Sequence, residues 1–450
     1  MNRREFLVGG GALAVTGCAT TVSASQSDKP VPAGKPAAQV SQPPKLIATE
    51  PVLQNAAETS IGVSFAVTAD ASGWVEIGER PDLSDARKVF SGEHGLMTVD
   101  DRVALIRVTD LKPATKYYYR IGADRISFKG GYAMKNLGAE VSDQIHSFTT
   151  LGRTAGGSFC VINDTHDVKP VIKMTLGKLK ELKPSVVLWN GDASNTSEKI
   201  ETAICIFLKT HPEFPDYAAD TPYMFLNGNH DFRGRFNRRL GELMMFREAS
   251  ERKGEYAELG RNFVQRLGDI ALIGLDTGED KLDTNKHFAG LFKMQPYREK
   301  QTRWLAEMIE SDAVKTAKFK VAFCHIPLFD SNPRANPGDI APDDEDFTRF
   351  EHDFAIWQRT CANLWSPLFE KAGVQLVITA HQHEFRFDEP AAGRSWAQIV
   401  GGGPELGKTR EGVAPTRFPT VIEGKVENGR LKVFVHDVYN RRVVFERTFA

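Results

Sequence analysis

Polar residues that can bind metal ions follow five separate apolar runs of this sequence, and this arrangement constrains the fold more than any other feature. Each run is typical of a buried strand, and the five end at Ile162, Trp189, Leu226, Cys324 and Thr379. The polar residues that follow these runs are Asp164 and His166, Asp192, Asn229 and His230, His325, and His381 with His383. Loops at the carboxyl ends of the strands of an α/β sheet converge at one edge, so we expect these side chains to meet in one site.

The chemistry of these side chains indicates what the site binds. We predict a set of seven metal ligands: Asp164, His166, Asp192, Asn229, His325, His381 and His383. Imidazoles, carboxylates and an amide without a thiolate favour borderline or hard divalent ions over a structural Cys-rich zinc site. Seven ligands suit two ions that share a carboxylate, and ions about 3.5–4 Å apart can bind the attacking and leaving oxygens of a displacement at phosphorus. The pattern therefore predicts phosphoester hydrolysis.

In order along the chain, these blocks resemble the five motifs of the calcineurin-like metallophosphoesterases. The blocks are Asp164-Thr165-His166, Gly191-Asp192, Gly228-Asn229-His230-Asp231, His325 and His381-Gln382-His383. The resemblance implies a first ion bound by Asp164, His166 and His383. It implies a second ion bound by Asn229, His325 and His381, with Asp192 bridging both. It further implies that His230 contacts the phosphate and protonates the leaving oxygen, that Asp231 orients His230, and that a metal-bound hydroxide is the nucleophile.

The chain departs from the pattern at four positions. Purple acid phosphatases lack a second His in the first block and have a Tyr ligand three residues after the bridging Asp, where this chain has Asn195. We therefore expect no tyrosinate-to-iron colour, and Fe, Mn and Zn all stay open for the metal pair. Asp167 and Ala380 stand where the family commonly has Gly, and an added β-carbon restricts the backbone there.

The remaining pattern predicts an N-terminal all-β sandwich followed by an α/β metallophosphoesterase domain. Residues 44–150 contain short β-like runs separated by turn residues, and the segment from Leu111 to Arg120 resembles the tyrosine corner of fibronectin type III domains. This sandwich is expected to be a spacer or docking module. Residues 151–450 alternate strands with helical patterns, which predicts a two-sheet α/β sandwich flanked by helices. Together, residues 44–450 resemble the purple acid phosphatase architecture.

The first 43 residues predict export and a lipid anchor. Residues 1–18 contain Arg3-Arg4-Glu5-Phe6-Leu7, which resembles a twin-arginine signal, and Val15-Thr16-Gly17-Cys18, which resembles a bacterial lipobox whose cysteine is lipidated. A disordered basic tail with a chance cysteine is the alternative. Residues 19–43 have the composition of a flexible tether. We therefore expect a bacterial periplasmic or cell-surface protein that is held to the membrane through Cys18.

Charge and residue types narrow the choice of partner and function. The formal net charge is −1, from 57 basic and 58 acidic side chains, so we predict no specific nucleic-acid binding and expect a small phosphoester substrate. The alternative is a non-catalytic cell-surface binding lipoprotein that retains a structural metal site. His230 argues against it, because a binder needs no proton donor beside two metals.

Three further features of the sequence leave alternatives open. The segment from Asp330 to Arg359 either overhangs the site and selects substrates or is a solvated loop. Gly401-Gly402-Gly403 either allows a close approach of the backbone or forms a tight turn. The cysteines after Cys18 are expected to be free thiols, because two of them lie inside buried strands.

Overall fold

The structure is a computed structural model that describes residues 44–208, 213–214, 218–245, 254–330, 349–406 and 416–450. The predicted signal over residues 1–18 and tether over residues 19–43 lie outside the described residues. Pro44–Ala450 form one compact unit. No helix within the described ranges is long and apolar enough to cross a membrane.

The β-strands of the described residues fall into an N-terminal group and a C-terminal group. The N-terminal strands are β1 (Val52–Gln54), β2 (Ile61–Ala66), β3 (Ala71–Gly78), β4 (Arg87–Phe90), β5 (Gly92–Glu93), β6 (Leu96–Met97), β7 (Val103–Val108), β8 (Lys116–Phe128), β9 (Met134–Val141) and β10 (His146–Thr149). The later strands are β11 (Ser158–Ile162), β12 (Val186–Asn190), β13 (Tyr223–Leu226), β14 (Phe263–Leu267), β15 (Ile270–Leu275), β16 (Phe319–Cys324), β17 (Leu376–Thr379), β18 (Arg386–Asp388), β19 (Ala397–Val400), β20 (Thr420–Glu427), β21 (Arg430–Asp437) and β22 (Arg442–Phe449).

The helices of the described residues all follow β10. The α-helices are α1 (Lys169–Leu182), α2 (Ile200–Phe207), α3 (Met294–Met308), α4 (Asp312–Lys315) and α5 (Arg349–Ala372). Short 3₁₀ helices span His230–Phe232, Phe236–Glu242 and Gly254–Leu259. Because α5 begins at Arg349, the second part of the segment from Asp330 to Arg359 is helical, which differs from the solvated loop considered above. Residues 331–348 of that segment lie outside the described residues.

Two large sheets pack face to face, as predicted. The first has the order β22-β21-β20-β11-β12-β13-β1-β2-β7, and the second has the order β14-β15-β16-β17-β19-β18. Phe159 of β11 meets Phe323 of β16 edge to face between the sheets, with ring centroids 5.5 Å apart. The alternate residues Cys160 and Ile162 of β11 belong to the core that includes helix α1. Side chains of β11 therefore alternate between the core between the sheets and the core under helix α1. This alternation fixes the register of β11 and hence the position of the loop that follows it.

The N-terminal part of the chain is β-rich, as predicted. Three of its strands belong to the same sheet as strands from the later part of the chain. Strand β1 pairs in parallel with β13 at Gln54 and Tyr223, and β2 and β7 continue the same sheet. Strands β10, β8, β3 and β4 form a separate sheet. Buried residues of this sheet belong to the core that also contains Phe159 and Phe323 of the two large sheets. The hydroxyl of Tyr117 accepts a hydrogen bond from the backbone N–H of Lys112 over 2.9 Å, which is the bond of a tyrosine corner. A domain boundary at residue 150 stays a prediction.

The cysteines of the described residues are free thiols. Cys160, Cys324 and Cys361 are buried and Cys205 is partly buried. Burial raises the pKa of the Cys324 thiol well above its usual range. Burial also raises the pKa of the Cys361 thiol, to about 12. These thiols therefore pack as small hydrophobic groups, as the sequence predicts.

Candidate metal centre

The predicted ligands lie at the edge where the carboxyl ends of β11, β12 and β13 face those of β16 and β17. Five of them have a left-handed backbone: Asp164 (φ 45°), His166 (φ 45°), Asp192 (φ 48°), His381 (φ 70°) and His383 (φ 56°). This conformation costs an L-residue roughly 1–2 kcal/mol and concentrates at functional sites. Hydrogen bonds between the loops maintain it, because the N–H of Asp164 donates to the carbonyl of Gly191 over 3.1 Å and that of His166 donates to the carbonyl of Asp192 over 3.0 Å.

The two positions where Gly is common behave differently. Asp167 is left-handed with φ 61°, and its carboxylate accepts a hydrogen bond from the N–H of Asn195 over 2.9 Å. Ala380 has no positive φ, so its β-carbon adds no backbone strain next to His381. The departures from the family pattern therefore leave the ligand loops in place.

The first group of ligands consists of Asp164, His166, Asp192 and His383, whose candidate ligand atoms lie within 4.8 Å of one another. The Nε2 atoms of His166 and His383 are 2.9 Å apart. His383 Nε2 lies 3.6 Å from Asp164 Oδ1, and His166 Nε2 lies 3.4 Å from Asp192 Oδ2. Four donors that converge on one point form a cation site.

The second group consists of Asp192, His325 and His381. His325 Nε2 lies 3.2 Å from Asp192 Oδ2. Asn229 joins this group, because its Oδ1 lies 2.9 Å from His381 Nδ1. The structure therefore brings all seven predicted ligands together, and Asp192 belongs to both groups, as a bridging carboxylate would.

The polar atoms of the site fit a pair of cations. Asp164 Oδ1 and His325 Nε2 are buried and make no hydrogen bond within the described part of the chain. Their other polar atoms are satisfied, because Asp164 Oδ2 accepts the N–H of His381 over 3.0 Å and His325 Nδ1 lies 2.8 Å from the carbonyl of Asn190. A buried polar atom that makes no hydrogen bond costs about 1–3 kcal/mol. Each of the two atoms points to where a cation would bind, and the carbonyl of Asn190 selects the tautomer of His325 that leaves Nε2 free to coordinate.

The protonation of the ligands depends on burial and on Asp192. Burial lowers the pKa of His166 to about 4 and that of His381 to about 3. Burial opposes a charge on His325 as well, but the carboxylates of Asp192 and Asp164 raise its pKa to about 10. Two imidazoles are therefore ready to coordinate a cation, whereas His325 must lose a proton when a metal binds.

His230 and Arg233 lie beside the ligands. The N–H of His230 donates to Asp192 Oδ1 over 2.8 Å. Its Nδ1 lies 3.1 Å from the carbonyl of Asn195, and its Nε2 lies 3.1 Å from Nη1 of Arg233. Arg233 is held by two hydrogen bonds to the fully buried carboxylate of Glu279, at 3.1 and 2.7 Å. No pattern in the sequence indicated Arg233, although it follows His230 by three residues.

Asp231 has a different role from the expected one. Its buried carboxylate accepts hydrogen bonds from the N–H of Gly228 over 2.9 Å and of Ser194 over 3.3 Å. None of its hydrogen bonds within the described residues reaches the ring of His230. Burial, with the charge of Asp192, raises the pKa of Asp231 to about 8. Asp231 therefore connects the loop of Asn229 to the loop of Asp192, and Asn195 and Arg233 orient His230 instead.

Two carboxylates beside the ligands carried no signal in the sequence, whereas two segments that the sequence singled out do reach the site. Glu405 Oε1 lies 3.5 Å from His383 Nδ1, and Asp280 Oδ2 lies 3.8 Å from His381 Nε2. The ring of Phe354 in α5 stacks on His381 with centroids 5.3 Å apart, so the segment after Asp330 does reach the site. A β-carbon on Gly403 would lie 2.8 Å from Cα of His383. The glycine run is therefore a close approach to the site and not merely a tight turn.

Comparisons with known proteins agree with this geometry. The sequence profile described as calcineurin-like phosphoesterase matches residues 157–385. None of the curated proteins matches the sequence. The structure is similar to that of the purple acid phosphatase PPD1 from yellow lupin (Lupinus luteus) seeds, with a TM-score of 0.59 and 14% identity, over 88% of this chain and 73% of that chain. It is also similar to a structure described as PhoD, with a TM-score of 0.58 and 12% identity, over 89% of this chain and 92% of that chain. At these identities the two structures show a shared fold.

Proposed function

Because this chain belongs to the calcineurin-like phosphoesterase family and is a metal-dependent phosphoester hydrolase, we propose that it hydrolyses small phosphomonoesters or phosphodiesters outside the cytoplasm, using two metal ions. The observation that supports the two-metal reaction best is the sharing of Asp192 between two groups of ligands. A single structural ion would need only one of these groups.

The ligand roles follow from the two groups. Asp164, His166 and His383 would hold one cation, and Asn229, His325 and His381 the other, with Asp192 in contact with both. Nitrogen and oxygen donors of this kind suit Fe, Mn or Zn. When bound, such a pair lowers the pKa of water and offsets the negative charge that develops on the phosphoryl oxygens.

His230 and Arg233 would handle the substrate. Arg233 carries a permanent charge, and its planar donor group suits a phosphoryl oxygen. A phosphoryl oxygen that binds Nη1 of Arg233 would displace it from Nε2 of His230, 3.1 Å away. Nε2 would then be free to take up a proton from solvent and to pass it to the leaving oxygen. Arg233 would thus bind the phosphate and release His230 for proton transfer.

Action outside the cytoplasm is supported by the N-terminal sequence alone. The paired Arg3 and Arg4 favour export of a folded, metal-loaded chain, and Cys18 favours lipidation. We expect Arg3→Lys with Arg4→Lys to leave active enzyme in the cytoplasm. Processed lipoprotein at the membrane in that double variant would contradict the twin-arginine route.

The two-metal reaction can be tested with a chromogenic phosphomonoester and the matching phosphodiester. The full chain is loaded separately with Mn, Fe or Zn and compared with Asp192→Asn, which keeps the size of the side chain but removes its charge. We expect turnover of at least one ester to fall by about 10³-fold or more in the variant, since both cations lose a ligand. Equal turnover in the variant would contradict the proposal. Two tightly bound metals without turnover of either ester would favour the binding-protein alternative.

A further inference from the structure

The hairpin of β8 and β9 extends beyond the sheet to which it belongs. Strand β3 pairs with β8 as far as Ala71 and Arg125. Beyond that point the N–H of Ile126 still donates to the carbonyl of Asp70 over 2.8 Å, whereas residues 127 and 128 pair with β9, and the last pair joins Phe128 to Met134. We refer to residues 126–137 as the hairpin tip. The hairpin tip is a two-stranded ribbon, and a ribbon of this kind has little intrinsic stability in water.

The hairpin tip exposes large apolar side chains. Phe128, Met134 and Leu137 are each more than half exposed, and Tyr132 is fully exposed. Phe128 and Met134 are directly paired, so they lie on one face of the ribbon. Lys129 and Lys135 flank them, and neither makes an ion pair with another described residue. Apolar and aromatic side chains bracketed by lysines are typical of segments that lie in the headgroup region of a membrane.

The base of the same hairpin receives the start of the compact unit. The guanidinium of Arg125 donates to the carbonyl of Pro44 over 2.7 Å, and the carboxylate of Glu140 accepts the N–H groups of Leu46 and Ile47 over 2.6 and 3.2 Å. Phe128 follows Arg125 by three residues, which is about 10 Å along a strand. The 26 residues from Cys18 to Pro44 can reach no further than about 90 Å, because a fully extended chain spans at most about 3.3–3.6 Å per residue. A lipid on Cys18 and the hairpin tip are therefore within reach of one membrane surface.

We propose that the hairpin tip docks in the headgroup layer of the phospholipid membrane that holds the lipid on Cys18. Phe128, Tyr132 and Met134 would lie at the boundary with the acyl chains, and Lys129 and Lys135 would attract anionic headgroups at about 1 kcal/mol each. This inference rests on the proposed lipid anchor. The two attachments together would fix the orientation of the enzyme on the membrane, which a single attachment cannot do.

The test places an environment-sensitive fluorophore on the hairpin tip of the full chain. Tyr132→Cys carries the label in a Cys205→Ser background, because the other cysteines of the described residues are buried. Tyr439→Cys is the matched control, since Tyr439 is also exposed and follows β21, which belongs to the nine-stranded sheet and not to the sheet of the hairpin. Both chains are bound to vesicles of phosphatidylethanolamine and phosphatidylglycerol that contain a nitroxide-labelled lipid. Neither position belongs to the catalytic machinery, so phosphoester turnover reports that the variants are folded.

We expect the label at position 132 to be quenched at least about fivefold more than the label at position 439. Phe128→Ser with Met134→Ser should abolish this difference. Equal quenching at the two positions would overturn the proposal. A label at position 132 that shifts to the blue without vesicles, as protein concentration rises, would overturn it in favour of a second copy of the chain. The mass of the N-terminal peptide tests acylation separately, and a Cys18→Ser chain, which can be neither acylated nor labelled at that position, can be added directly to the vesicles, so failure of the anchor and failure of the hairpin are distinguishable.

Discussion

Replacing Gly228 with alanine tests whether the position of the Asp192 carboxylate determines turnover. A β-carbon at position 228 would lie 2.5 Å from the backbone nitrogen of Asp192 and 2.8 Å from its Cγ, and β-carbons essentially never approach other atoms within 3.0 Å. Relieving this overlap costs about 1–3 kcal/mol of stability. Moving the carboxylate by about 1 Å would cost about 10²-fold in rate, because the ligand shared by both groups would no longer be correctly placed. The backbone of Gly228 has an ordinary φ, so the effect is steric.

The assay compares kcat/KM for a chromogenic phosphoester, bound metal per chain and the midpoint of thermal unfolding. Gly177→Ala is the matched control, because Gly177 lies within α1 and a β-carbon there meets no atom within 4 Å. This control should keep its turnover and gain roughly 0.5–1 kcal/mol, since alanine favours the helix. If Gly228→Ala retained the turnover and metal content of the parent, the inferred role of this close contact would be wrong.

Three other predictions follow from the site and its surroundings. Removing metals with a chelator should abolish turnover and lower the midpoint of unfolding, since a metal at 100 times its Kd contributes about 2.7 kcal/mol; an unchanged midpoint would mean that the buried Asp164 and Asp192 need no cation. Arg233→Lys keeps the charge but not the paired hydrogen bonds to Glu279, so KM should rise about tenfold with metal content unchanged; an unchanged KM would exclude Arg233 from substrate binding. Burial opposes a charge on His146, but the carboxylates of Asp220 and Glu50 raise its pKa above 6.5. The charged imidazole therefore stabilises the folded protein below pH 6.5, and this contribution is lost as the pH rises through the raised pKa. His146→Gln should therefore lower the free energy of unfolding near pH 6 and leave it nearly unchanged near pH 9, and the reverse order would contradict the ion pairing.

The ligand set could be predicted from the sequence because strand ends in α/β folds converge. Each of the five groups of ligands follows its own apolar run, so local pattern and general topology were enough to bring Asp164 close to His383, 219 residues later. The bond of the tyrosine corner at Tyr117 was likewise encoded within a few residues.

The parts that could not be predicted depend on pairings between distant loops. Glu279 holds Arg233 from 46 residues away, and nothing in its neighbourhood distinguishes it from a surface carboxylate. The role of Asp231 depends on which backbone N–H groups donate to its carboxylate oxygens, and these contacts cannot be read from the sequence. The register of β1 against β13 is also invisible locally, because either edge of the sheet could accept a short apolar strand.

The pairing of β1 with β13 has a consequence for how this chain can be cut and recombined. Tyr119 strengthens the junction, because its hydroxyl donates to the carbonyl of Ala219 over 2.6 Å just before β13. A fragment that starts at residue 151 would lose β1 and leave one side of β13 as a bare edge, with apolar residues that no longer have a cover. Unprotected edges of this kind recruit strands from other molecules. The N-terminal strands thus protect the edge of β13 from aggregation. A catalytic fragment that is to be expressed alone or fused to another protein must therefore include them.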